Sequence, residues 1–493
     1  MTRRNQPRPG SLAALGEPLP AGDASRDGRA RGRTALLLWV LCAGIMSETV
    51  CAAQFTVDSL TDTLDSMAGD GLCADAAGAC SLRAAIQEAN ALGGADSVLL
   101  GPGIHVIERT GTLENLGASG DLDILSEIDL AGAGEQLTTI DGGSLDRVMD
   151  VHPGGALALH GLSITAGLLP QFTSPDAPER AGGGLLVRTG GAAELDQVLL
   201  HGNRSLRDGG GISVYGSLRA TRLRVLANVA NSQNGAGGAV HIGSSASLLD
   251  LDECELRGNS AATGAGIYGD GNAAISVSRC LIADNDAGND GGGGIAANIG
   301  SAHWLLRNLT ISGNAGGGIF GDGAHQLRCE HCTITANHVN SPNGGGAIAD
   351  VRGPSSPNFT AITLVNSIVH GNLQPAGNEC HTVFASVIVS AGGTLRAPGN
   401  ACRMSAGPGD ITTADAGLEP RADNGGFSAT HGLSTQSPAI DAAQTGACLP
   451  TDQRAEPRPR DGDQDGNPDC DIGAFELDVG SFGDGFENLG RRP

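Results

Sequence analysis

Oxygen-bearing side chains alternate along Asp461-Gly462-Asp463-Gln464-Asp465-Gly466-Asn467-Pro468-Asp469. Glycine holds the sixth place, as in the first half of a calcium loop, where positions 1, 3, 5 and 9 wrap one hard cation. The bidentate Glu that an EF-hand needs at position 12 is replaced by Ile472, so this is not an EF-hand. Two readings stand: a looser calcium-stabilised loop tied by Cys470, which is preferred, and a solvated acidic turn. The expected ligands are Asp461, Asp463, Asp465, Asn467 and Asp469, and a structural Ca2+ is the one cofactor expected.

A second set lies on a wall of the molecule: Glu194 and Asp196, then Arg219, then Asp250 and Asp252. Carboxylates so arrayed could work as acid and base or bind calcium, with arginine holding an acidic sugar. Asp250, Asp252 and Arg219 are the catalytic candidates. The plainer reading is a ladder of surface ion pairs, each worth little. It is favoured because acids and arginines also alternate at Arg222, Glu253 and Arg279 and at Arg224, Glu255 and Arg257. Cys329-Glu330-His331-Cys332 has the spacing of a zinc or redox motif. A second ligand pair is missing, and both sulfurs fall on core positions, which favours a structural role. There is no nucleophile elbow, zinc-protease motif or dinucleotide loop.

These residues are positioned by a repeat. A glycine or alanine followed by an aliphatic residue recurs at Leu185, Ile212, Val240, Ile267, Ile295, Ile319 and Ile348, about every 27 residues. Asparagine recurs in step: Asn203, Asn228, Asn259, Asn285, Asn314, Asn337 and Asn372. Positions three, five, eight and ten before each asparagine are mostly apolar, and those between them mostly polar. Each repeat therefore holds two short strands of period two, a break, and a third strand. The fold class expected is all-β: a single-stranded, right-handed parallel β-helix with an N-terminal helical cap. Inward aliphatics would stack into a narrow core, glycine would serve the tight corners, and the asparagines would form a structural ladder.

Glycine is 78 of 493 residues, aromatics are 3%, and every one of the 30 basic residues is arginine. The absence of lysine excludes Schiff-base and phosphate-loop lysine chemistry. A net charge of -24 argues against a nucleic-acid partner. Residues 1–53 combine arginines, an apolar run from Ala35 to Met46 and small residues at Cys51-Ala52-Ala53, the pattern of a Sec-type signal peptide. The run is too short for a membrane span. Maturation is expected near Gln54, giving a secreted or cell-surface monomer without a transmembrane segment. Ten cysteines follow, and an exported chain with an even number suggests disulfides. Sequence neighbours pair Cys73 with Cys80, Cys380 with Cys402 and Cys448 with Cys470. Cys254 and Cys280 share an inward column, which suits a disulfide or two buried thiols; Cys329 and Cys332 could pair across a corner.

Residues 80–91, Cys-Ser-Leu-Arg-Ala-Ala-Ile-Gln-Glu-Ala-Asn-Ala, read as a helix with Ser81 as its N-cap and Leu82, Ala85, Ile86 and Ala89 on one face, lidding the first coil. The segment resembles the CSLREA segment of bacterial secreted β-helix proteins. Ala84 replaces that family's Glu, so half of a capping box is missing. Gly345-Gly346-Ala347-Ile348 resembles the repeats of polymorphic outer-membrane proteins. Ser437-Pro438-Ala439-Ile440-Asp441, Thr451-Asp452-Gln453-Arg454 and Cys470-Asp471-Ile472-Gly473-Ala474-Phe475-Glu476 resemble the choice-of-anchor region of the Q type. The resemblances imply an exported bacterial protein with a pectin-lyase-like β-helix and no particular activity. The expected domains are a signal peptide 1–53, a cap segment 54–97, the β-helix 98–445, a C-terminal cap 446–477 that closes the stack, and a tail 478–493 that is frayed or a sorting tag and too short for a translocator barrel. The expected function is adhesin-like binding of carbohydrate or extracellular matrix. The alternatives are a polysaccharide lyase or hydrolase acting on acidic polysaccharide, and a structural spacer.

Overall fold

The computed structural model describes residues 52–479 apart from 113, 170–180, 232, 289–290, 299–302, 323–325, 341–344, 351–360, 374–378, 383–386, 399–401 and 403. The expected signal peptide up to residue 51 and the tail from residue 480 lie outside them. No helix among the described residues is long and apolar enough to cross a membrane.

The chain winds into coils whose strands pair in parallel, each with its counterpart one turn on. Ala192–His201, Ser217–Leu226 and Leu248–Arg257 run side by side in unbroken register, Leu200 beside Val225 beside Leu256. Ten third strands, from Leu122–Ile124 to Cys380–Thr382, form a second parallel sheet. Leu200, Val225, Leu256, Ile282, Ile311 and Ile334 are all 0% exposed, so the periodic aliphatics do fill the interior. Trp304 joins them at 2%. Each coil offers only a few side chains to this core, so its stability comes from neighbours above and below.

The asparagine column is a continuous ladder. Nδ2 of each residue donates to Oδ1 of the next, at 3.0 Å for Asn203 to Asn228, 3.1 Å for Asn228 to Asn259 and 3.0 Å for Asn259 to Asn285. It continues through Asn314 and Asn337 to Asn372 at 3.0, 2.8 and 2.9 Å. The same Oδ1 also accepts the backbone N–H of the preceding rung, as in Asn259 N to Asn285 Oδ1 at 2.9 Å. A second donor hydrogen reaches back to a carbonyl, as in Asn285 Nδ2 to Leu256 O at 3.0 Å. These amides satisfy buried backbone groups at a corner where the strand ladder is interrupted. The ladder also explains one glycine by close approach: a Cβ on Gly294 would lie 2.4 Å from the carbonyl of Gly318 and 3.3 Å from Asn314 Nδ2.

Glycine does not serve every corner. Between the first and second strands, Gln197, Arg222, Glu253, Arg279, Asn308, His331 and Asn366 each have φ between 47° and 55°. A non-glycine residue there costs on the order of 1–2 kcal/mol. Stacking holds it: Arg279 N–H donates to Arg307 O at 3.0 Å and His331 N–H to Val365 O at 3.0 Å. The side chains retained at this corner then do work on the wall, as described below.

The helix spans Leu82–Leu92, with Ser81 Oγ accepting from Ala84 N at 3.1 Å. Leu82, Ala85, Ile86 and Ala89 are buried on the first coil. Arg83 is buried as well, donating to Asp62 and to the carbonyls of Gly117, Gly120 and Asp121. Five disulfides form: Cys73–Cys80, Cys254–Cys280, Cys329–Cys332, Cys380–Cys402 and Cys448–Cys470.

The C-terminal region departs from the picture of a cap closing the stack. Its contacts run along the flank, over the outward face of the second strands. Asn308 Nδ2 donates to Thr451 O at 2.9 Å, Thr310 Oγ1 to Gln453 Oε1 at 2.6 Å, and Ala474 N to Thr333 Oγ1 at 3.0 Å. Ile368 and Leu395, apolar on that face, pack with Ala439, Ile472, Phe475 and Leu477. Arg458 is the pin of this lid: buried, it donates to His331 Nδ1 at 2.6 Å and to the carbonyls of Asp471 and Gly473 at 2.8 Å, and lies 3.4 Å from Glu476. Burial and the Arg458 charge push His331 down to about 3, so it is the neutral acceptor. Burial raises Asp471 to about 8.

Two outcomes follow from these contacts. Asn285→Ala strips partners from both adjacent rungs and should lower stability by about 2–4 kcal/mol, read as a fall in the urea midpoint. Arg458→Met leaves Glu476 uncompensated and should cost the lid about 3–5 kcal/mol. Limited proteolysis should then cut within residues 416–477 while the coils stay intact.

Candidate functional site

The outward face of the first strands carries a groove of about 380 Å3. It arises because side chains are missing. Ala156, Ala158 and Ala192 offer only methyl groups at positions where the flanking coils carry Glu127 and Asp129 on one side and Glu194 and Arg219 on the other. Glu127, Asp129, Glu194 and Arg219 are exposed, and His160 Nε2 stands 3.4 Å from Asp129. The register aligns Asp129, Ala158, Glu194, Arg219 and Asp250 in one outward column. Neighbouring strands sit about 4.8 Å apart, so polar groups are presented at the coil spacing.

The predicted wall residues divide. Arg219 and Asp250 lie opposite each other on adjacent strands, and no ion pair among the described residues joins them. Asp252 is engaged: Arg279 Nε donates to it at 2.9 Å, and a second guanidinium nitrogen closes the fork. Asp196 is held the same way by Arg222, at 2.5–3.0 Å. Both arginines are the corner residues with left-handed backbone, so the corner uses its side chain to neutralise the wall. These pairs are part-exposed and worth about 0–1 kcal/mol each. Glu194 and Arg219 at the groove and Asp250 beside it have no ion-pair partner among the described residues. Tyr268 offers no open platform: its ring stacks on His241 at 5.6 Å, and its hydroxyl accepts from Asn298 at 2.5 Å.

The acidic loop also divides. Asp461 and Asp463 converge with Asp441, a residue outside the motif, with one carboxylate oxygen from each within 4.8 Å of the others. Asp465 and Asn467 cap the turn instead: Asp465 Oδ1 accepts from Asn467 N at 2.7 Å, and Asp463 Oδ1 from Asp465 N at 3.0 Å. Asp469 Oδ1 accepts from Thr445 Oγ1 at 3.4 Å. Oδ1 of Asp441 and Oδ1 of Asp461 are shut off from solvent without a hydrogen-bond partner among the described residues. Burial, with the nearby Asp463 charge, raises the Asp441 pKa. Unpartnered carboxylate oxygens in such a cluster are what a hard cation would satisfy. Asp441 could not be found from local spacing, because it lies 20 residues before Asp461.

Sequence reasoning also missed a buried ionic cluster outside the third strands. His152 Nε2 lies 2.6 Å from Asp123 Oδ1, and Arg188 grips both oxygens of Asp150. Arg147 Nε donates to Asp121 at 2.6 Å. These acids, His152 and Arg147 are no more than 8% exposed, so the cluster fastens Asn115, Gly117 and Asp121 and does not open to a substrate. Its signal was the 27-residue spacing of Asp123 and Asp150, one coil apart.

The family described as "Right handed beta helix region" matches residues 210–397. No curated protein matches the chain. Solved structures it is similar to include the pectate lyase Pel9A, 13% identical with a TM-score of 0.38, covering 87% of this chain and 98% of that one. Another is the PL6 family alginate lyase AlyGC, 13% identical with a TM-score of 0.32, covering 75% of this chain and 58% of that one. The family match falls on coils whose parallel register is described above, and the chain folds as a right-handed parallel β-helix.

Proposed function

We propose that this chain is an exported, adhesin-like β-helix protein that binds a polysaccharide strand in the groove without cutting it. The groove carries the reading. Its methyl floor suits the flat faces of sugar rings, and its rim offers the Glu127 and Glu194 carboxylates and the Arg219 guanidinium, which no ion pair among the described residues consumes. Such groups exchange paired hydrogen bonds with vicinal hydroxyls. Charge selects among sugars. Glu127, Asp129 and Glu194 face a single Arg219, so a neutral strand is favoured over a polyuronate, which those three carboxylates would repel. That same balance weighs against a lyase or hydrolase of acidic polysaccharide. The clamping of Asp252 by Arg279 removes one of its candidate groups. Five disulfides support an oxidising compartment, as export through a signal peptide requires.

On a glycan array the protein should retain neutral polysaccharide. Arg219→Ala and Glu194→Gln should each weaken binding about tenfold, the loss of one charge-assisted hydrogen bond. Release of unsaturated or reducing ends would establish an enzyme instead, and retention of no glycan would leave the spacer.

The lid, in the same reading, holds a structural calcium ion at Asp441, Asp461 and Asp463, supported by the two orphaned oxygens. The site is of the weak extracellular kind. A chelator should lower the melting temperature by a few degrees, millimolar calcium should restore it, and Asp441→Asn should make the protein indifferent to both. An unchanged melting temperature on chelation would remove the ion.

A further inference from the structure

We propose that Asp96 is a built-in counter-ion for an amino terminus at Ala53, created when the Ala52–Ala53 peptide bond is cut during export. The proposal rests on reading Cys51-Ala52-Ala53 as a processing site, and it moves the cut one residue upstream of the Gln54 start expected from the sequence.

Asp96 occupies an inward position, opposite Ile128 and on the same side of its strand as Val98 and Leu100, and is 0% exposed. Its Oδ1 accepts the backbone N–H of Ala53 at 2.7 Å. Its Oδ2 is buried with no hydrogen-bond partner, and no arginine or histidine pairs with this carboxylate among the described residues. An ionised carboxylate in an apolar column needs a positive charge. A peptide N–H has one hydrogen, and here Oδ1 takes it. An α-ammonium has three, enough to reach both oxygens.

Ala53 is already fixed for this role. Its carbonyl accepts from Ser97 N at 2.8 Å, and Gln54 next to it begins a strand in register with Ser97. The residue before the bond, Ala52, is small, as a processing protease requires. In the cut, water adds across the bond: the C–N bond breaks, Ala52 leaves with the new carboxylate, and the released amine of Ala53 takes up a proton beside Asp96. The charge that the first coil lacks is thus supplied by maturation, and the processed chain is more stable than the unprocessed one.

The test is a two-by-two comparison of proteins prepared with defined termini: a start at Ala53 or at Ala52, with Asp96 or Asp96→Asn. With Asp96, the extra residue should lower the folding equilibrium constant about tenfold or more, the scale of a charged hydrogen bond. With Asn at that position it should have no effect. An equal effect in both backgrounds would overturn the proposal. Should Asp96→Asn fail to fold, Nα-acetylation of the Ala53 protein reads the same contact, and no loss on acetylation would overturn it. Sequencing the terminus of the exported protein should return Ala53; a start at Gln54, or an uncut chain, would also overturn it. None of these readings depends on sugar binding.

Discussion

Every coil must leave no buried backbone group unpaired at its corners, and the asparagine ladder is how this chain meets that constraint. A strand pairs its own N–H and C=O groups with the coils on either side; a corner breaks that pattern. At this corner each asparagine amide accepts the N–H of the preceding rung and donates to the next amide and to a carbonyl of the previous coil. One side chain therefore replaces several lost ladder bonds, in a place where an unpaired group costs about 1–3 kcal/mol. The aliphatic columns supply the driving force, and the ladder fixes the register in which they can act. A shift of one residue would turn the aliphatics toward water and break the stack of buried amides.

Given that scaffold, chemistry is a question of which outward column is left open. The second-strand face carries Arg224, Glu255 and Arg257 in the early coils, then Thr310, Ser312, Thr333 and Ile368 in the later ones. Charges become fewer where the lid docks, and those that remain are used by it: Phe427 meets Arg224 at 4.4 Å and Arg421 pairs with Asp284. The first-strand face is the reverse: it stays uncovered, and its alanines open a groove between charged neighbours. Arginines at the left-handed corners reach onto this face and occupy Asp196 and Asp252. The charges left at the groove are thereby Glu127 and the column through Glu194, Arg219 and Asp250.

The lid shows how ionic groups are tolerated inside such a body. Arg458 has the Glu476 carboxylate, a neutral histidine and two carbonyls around it, which offset part of its burial, although burial still lowers its pKa. Arg454 is treated similarly, with Asp452 at 2.7 Å and the Phe475 ring beneath it at 3.8 Å. The Thr451-Asp452-Gln453-Arg454 and Gly473-Ala474-Phe475-Glu476 segments thus work as docking elements, which accounts for their residue types without any catalytic role.

The sequence by itself determined the coil. Side-chain polarity at period two within a strand, repeated about every 27 residues, can bury its aliphatics in only one way, and Leu200, Val225, Leu256 and Ile282 are inside as that pattern requires. The ladder and the cysteine column follow from the same periodicity, and the helix with its Ser81 cap from the spacing of its own apolar face. Tertiary structure decided everything that depends on residues far apart in the chain and out of phase with the repeat. Asp441 completes an acidic cluster from outside its motif, the C-terminal region lies on the flank instead of closing the stack, and Asp96 stands beside Ala53. Periodicity states which way a side chain faces; only the path of the chain between repeats states what it meets there.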